Sequence, residues 1–170
     1  MSLNLIQNFS FETGIDPWQN AGIAGTTDPL TGAFEGSRVG SFGPLLVLTP
    51  GNAVLSQAFP VEADALNLRV SYAFRRLVAV APVVNGQFQV QIVWQRGADG
   101  GYAPISTEIL ENMPGTDVDI SVDWETHVVV TGPKPALAEQ ARIRFILFRS
   151  LLELGVAGTY IDEVVVTAES

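Results

Sequence analysis

Asn4-Leu5-Ile6-Gln7-Asn8-Phe9-Ser10-Phe11-Glu12-Thr13-Gly14 stands near the start of the chain, with Pro17-Trp18 close behind, and Tyr160-Ile161-Asp162-Glu163-Val164-Val165-Val166 stands near its end. Each stretch reads as a short apolar strand with one carboxylate placed where it could meet the other, Glu12 in the first and Asp162 in the second. First and last strands lying side by side would close two stacked layers of extended chain, which predicts a β-sandwich. A Glu and an Asp meeting at that seam invite a cation.

Working inward, the apolar period is mostly two, the strand period. Leu66, Leu68, Val70, Tyr72 and Phe74 alternate with Asn67, Arg69, Ser71, Ala73 and Arg75. Phe88, Val90, Ile92 and Trp94 alternate with Gln87, Gln89, Gln91, Val93 and Gln95, and Ile143, Phe145 and Leu147 with Arg142, Arg144, Ile146 and Phe148. Each run predicts an antiparallel strand with one buried face. Further strands are expected over 3–7, 38–42, 53–59, 126–131 and 158–166. Thr49-Pro50-Gly51, Ala98-Asp99-Gly100-Gly101 and Gly132-Pro133-Lys134-Pro135 are turn chemistry, and Asn85-Gly86 is a hairpin signal. Residues 97–123 read as a longer, mostly irregular connection with one edge strand around 105–110. Single helical turns fit 135–141 and 150–154. With no repeat and no domain boundary, residues 1–170 form one all-β domain. The expectation is a two-sheet antiparallel β-sandwich of eight to ten strands, of jelly-roll type.

Composition bounds the function. The 170 residues are 47% apolar, enough for a substantial core, and only 16% charged. A net charge of −9 repels phosphate backbones, so no nucleic-acid partner is expected. The absence of cysteine excludes disulfides, Cys-ligated zinc and thiol catalysis. No apolar run reaches membrane-spanning length, so membrane insertion is not expected. No signal peptide is visible, and Met1-Ser2-Leu3 has the look of an expression scar.

At this point the residues resemble a family. The opening Asn-Leu-Ile-x-Asn-x-x-Phe-Glu-x-Gly with its Pro-Trp is similar to the start of carbohydrate-binding-module-like (galactose-binding-like) jelly rolls of bacterial glycoside hydrolases. Gly36-Ser37, Leu55-Ser56-Gln57, Trp124, the stretch 133–144 and the closing Ile161-Asp162-Glu163-Val164 continue the likeness over nearly the whole chain. A narrower resemblance is to the Firmicutes domain found ahead of tandem, often collagen-like, repeats in cell- or spore-surface proteins. The resemblance implies a non-catalytic sugar-binding module or surface head domain, placed extracellularly or on a spore or cell surface. It also implies structural calcium held by Glu12 and Asp162, with carbonyls near Glu35 or Ser37 as further ligands. The alternative reading is that backbone amides or Arg side chains cap those two carboxylates.

Three polar stripes carry the ligand expectation. Gln87, Gln89 and Gln91 share one strand face, Arg69, Ser71 and Arg75 a second, and Arg142 and Arg144 a third. If the strands are neighbours, amides and guanidiniums would floor a concave sheet and bond sugar hydroxyls. Tyr72, which needs a twist or bulge to reach that floor, and Phe148 would be the aromatic partners. The plain alternative is a solvated outer face. Trp18, Trp94 and Trp124 read as structural, and His127 as a surface or interface residue. Asp117, Asp119 and Asp123 read as a solvated acidic loop, so an enzyme is not expected. The apolar runs Leu45-Leu46-Val47-Leu48, 77–84 and Leu151-Leu152-Glu153-Leu154 suggest a homo-oligomer such as a trimer. They also support a competing reading, a structural homo-oligomerisation domain with no sugar ligand.

Overall fold

The computed structural model describes residues 3–22, 24–29, 32–42, 51–80, 87–98, 101–113, 123–149 and 156–170. Among them run ten strands: β1 (Gln19–Ala21), β2 (Gly25–Thr27), β3 (Val39–Ser41), β4 (Gly51–Pro60), β5 (Asn67–Val80), β6 (Gln87–Ala98), β7 (Gly101–Met113), β8 (Glu125–Val130), β9 (Gln140–Arg149) and β10 (Val156–Glu169). They form two antiparallel five-stranded sheets, ordered β1-β4-β9-β6-β7 and β2-β3-β10-β5-β8. The all-β, two-sheet sandwich of jelly-roll type is the architecture expected from the alternation.

The core follows from that alternation. Leu55 and Phe59 of β4, Phe88, Val90, Ile92 and Trp94 of β6, and Ile143 and Phe145 of β9 point inward from the first sheet. Leu68, Val70, Tyr72 and Phe74 of β5 and Ile161, Val164 and Val166 of β10 meet them from the second. Phe42 sets its edge against Phe88 at a ring separation of 5.3 Å and 85°. Burying an aromatic side chain of this kind contributes about 1.5–3 kcal/mol. Trp18 packs on Phe11 and Phe145, and Trp94 is buried, so both are core residues. Leu66, in phase with the core by sequence, precedes β5 and is exposed.

The two chain ends lie together. Leu5 donates its amide to the Val166 carbonyl, and Val164 donates to Phe9. Asn4 adds its side chain, accepting from Val166 N and donating to Val164 O. This contact is made by bonds on either side of a turn rather than by a regular strand, so 3–7 is not the strand expected. The edge strand expected around 105–110 is present and runs further, over the whole of 101–113, where the connection was expected to be irregular. No helix occurs over 135–141, where a single turn, Ala138 N to Pro135 O, leads into β9. Leu45–Leu48, Asn85-Gly86, Asp117, Asp119, 81–84 and 150–154 lie outside the described residues.

Candidate functional site

The outer face of the first sheet gathers most of the polar stripe. Register pairs Gln91 with Arg144 and Gln89 with Ile146 across β6 and β9, and Arg144 with Ser56 across β9 and β4. Directly opposed residues share a face, so Gln87, Gln89, Gln91, Arg142, Arg144 and Phe148 line one surface. The amides form a ladder. Gln87 Nε2 and Gln89 Nε2 both donate to Asn112 Oδ1, and Gln91 Nε2 donates to Gln89 Oε1 at 2.8 Å. Arg142 donates to Gln19 Oε1 from β1. Among the described residues, no hydrogen bond or ion pair engages the Arg144 guanidinium. Ser56, Gln91, Val93 and Ile146 form a recessed floor, buried although no third sheet covers them among the described residues.

Two predicted site residues do not join this face. Tyr72 points into the core and is fully buried, because β5 carries it in phase with Val70 and Phe74. Arg69 lies exposed on the outer side of the second sheet, opposite Val130 and Thr167. Two residues of this face went unnoticed in the sequence. Asn112 faces Gln89, and Tyr102 lies opposite Gly97, half exposed, giving the face a second aromatic far from Phe148. Both sit on β7, whose alternation is broken by irregularities between Val90 and Gln91 and between Trp94 and Gln95. The turn-rich composition around 98–101 masked the rest.

Glu12 and Asp162 do come together, across the 34–38 segment. Asp162 Oδ2 accepts from the amides of Phe34 (3.1 Å) and Glu35 (3.0 Å), and Oδ1 accepts from Glu163 N (2.8 Å). Glu12 Oε1 accepts from the amides of Ser37 (2.8 Å) and Arg38 (2.7 Å), and Oε2 accepts from Ser37 Oγ. Gly36 adopts φ +69°, and a Cβ there would meet the Glu12 carboxylate at 2.5 Å. The amides of Arg38 and Ser37 hold the Glu12 carboxyl below its usual range. Burial pushes Asp162 up to about 6 despite its amide donors, with the Glu12 charge adding to the rise. Burial, then the hydrogen bond and charge of Glu35, push Glu163 up to about 7.

The expected calcium needs six to eight oxygen ligands. Here the two carboxylates take N–H and O–H donors, each using three of about four lone-pair positions. Among the described residues, no three acids or histidines are grouped as metal ligands. The donor set is that of amide-capped carboxylates and does not fit an oxygen-rich calcium cage.

A third constellation escaped the sequence reading. Glu111 of β7 accepts from Tyr72 Oη through Oε2, and its Oε1 lies 2.7 Å from His127 Nδ1. His127 stacks on Tyr72 at 5.2 Å and 18°. His127 therefore turns inward and ties the edge strands of the two sheets together, rather than facing solvent. Its hydrogen bond to Glu111 raises the imidazole above its ordinary value, against burial. Burial alone would raise Glu111, but its bonds to His127 and Tyr72 outweigh that and hold it low. Trp124 caps the other side, donating to Gly32 O, with its ring against Phe34 and Arg75.

No family model matches the chain, and no curated protein matches it in sequence. Solved structures share its fold. The enzymatically active domain of tailspike protein 4 from bacteriophage CBA120 superposes with a TM-score of 0.67 at 15% identity, over 98% of this chain and 21% of that one. The chain thus spans about a fifth of that domain's length. TmCBM61, solved in complex with β-1,4-galactotriose, matches at 0.63 and 16% identity over 99% of this chain and 100% of its own. A cyclase from Fischerella sp. matches at 0.62 and 16% identity over 99% and 98%. A xylan-binding domain from Paenibacillus barcinonensis also matches, at 0.58 and 14% identity over 98% and 95%. At these identities the likeness establishes the sandwich, which supports both sugar-binding modules and a cyclase.

Proposed function

We propose that this chain is a non-catalytic carbohydrate-binding module that takes a glycan on the outer face of β6 and β9. The observation that carries the reading is the amide ladder Gln87-Gln89-Gln91-Asn112 beside the Arg144 guanidinium, with which no described residue pairs. Side-chain amides carry donors and acceptors in one plane and so match vicinal hydroxyls in pairs. Phe148 and Tyr102 supply flat apolar surface at separate places on the same face. The full-length match to TmCBM61, a galactotriose complex, supports a sugar ligand. The same proposal places the module extracellularly, where structural polysaccharides lie.

Affinity electrophoresis through gels containing soluble polysaccharides tests this. The chain is expected to be retarded by at least one polymer, and Gln89→Ala and Arg144→Ala are each expected to weaken binding by about tenfold, the loss of one good hydrogen-bonded contact. Retardation by no polymer, or retardation that both variants retain in full, would refute the assignment.

A further inference from the structure

We propose that the glycan taken by this face is anionic, a polysaccharide carrying uronate carboxylates, with Arg144 as the group that reads them. The inference rests on the reading that the face binds glycan, and it adds the ligand's charge.

The argument begins with where the acids are. The chain has 18 Asp and Glu against nine Lys and Arg. Yet the positions directly opposed to Arg142 and Arg144 are Ala58, Val93, Ser56 and Gln91, none of them acidic, and the Glu139 carboxylate at the edge of this face is taken up by the Gly97 amide, at the Tyr102 end. A protein with twice as many acids as bases sets none of them opposite these two guanidiniums.

Among the described residues no carboxylate pairs with either charge. Arg142 is held by the neutral carbonyl oxygen of Gln19, which orients the group without compensating it. Arg144 is flanked in register by Gln91 and Ser56, again neutral, and no described group pairs with it. Arg142 and Arg144 lie two residues apart on one strand face, about 7 Å along the strand, so they repel one another. Amides and guanidiniums both bond neutral hydroxyls, so a charged group adds most where the ligand is itself charged. A guanidinium fork matches a carboxylate in a bidentate, charge-assisted pair. The net charge of −9 does not oppose this. Charges farther away than a Debye length, about 8 Å at physiological salt, are largely screened, so the local face decides.

The test compares charge with the backbone held constant. Polygalacturonate, alginate and glucuronoxylan are each paired with their carboxyl-reduced forms, and binding is measured by titration calorimetry for the wild type and for Arg144→Gln. The expected result is that at least one acidic polymer binds about tenfold or more tightly than its reduced form, with affinity falling as salt rises. Arg144→Gln, which keeps a hydrogen-bonding amide, is expected to lose that preference while its melting temperature stays unchanged. Equal binding of acidic and reduced forms, or binding of neutral polymers alone, would overturn the inference and leave the module reading standing. A preference that survives in Arg144→Gln would overturn the role of Arg144. Binding to no glycan, acidic or neutral, would overturn both.

Discussion

At the scale of single residues, the charges that matter most to stability are partly buried acids and one histidine. Asp162 and Glu163 are raised to about 6 and about 7 in the folded protein, chiefly by burial. The native state therefore takes up their protons before the unfolded chain does. Stability from these groups is greatest in acid and falls as pH rises from the unfolded values of 3.8 and 4.5 through the folded ones. His127, raised by its bond to Glu111, has the same sign: its contribution is complete below 6.5 and is lost as pH climbs through the folded value. Glu111 runs the other way, being lowered, so its contribution is present above 4.5 and is lost only as pH falls through its folded value. Together they predict a higher melting temperature at about pH 5 than at about pH 8. A melting temperature that is flat or rises over that interval would show that these groups titrate as they do in the unfolded chain.

At the scale of elements, the seam between the opening segment, residues 34–38 and β10 is closed by hydrogen bonds from amides. Asp162 and Glu12 each accept three bonds, and β10 is bent just there, with Glu163 at φ 48° and a register shift between Asp162 and Val165. Because the carboxylates are satisfied by donors of the chain itself, EDTA is expected to leave the melting temperature unchanged. A fall on chelation would reveal a dication bound by the native state alone. The meeting of Glu12 with Asp162 was legible from the two end motifs, whereas their partners were not, since no local pattern says which loop amides will point at a carboxylate. Strands with clean alternation, such as β6 and β9, were readable residue by residue. Of the edge strand β7 only 105–110 was readable, because its irregular pairing breaks the period of two, and β1 and β2, at three residues each, are too short to show one. His127 was misread for a related reason. Its orientation is set by the register with Tyr72, which is a property of the sheet and not of the strand.

At the scale of the whole molecule, the sandwich turns one set of alternating residues into a core and leaves two outer faces of unlike character. One presents amides and two guanidiniums on a recessed floor, while the other presents exposed Val128 and Val130 beside Arg69. Sequence alone predicted three polar stripes that would meet if their strands were neighbours. Topology joins the Gln87-Gln89-Gln91 stripe to the Arg142-Arg144 stripe through the β6–β9 pair and sends Arg69 to the opposite side. The central claim is therefore about which face touches the ligand. Amide chemical shifts recorded while the chain is titrated with an oligosaccharide from a polymer that retards it test that claim most directly. The account predicts shifts concentrated at Gln87, Gln89, Gln91, Asn112 and Arg144, with Arg69 and Val128 unmoved. Shifts centred on Arg69 and Val128, with the β6–β9 face silent, would contradict it.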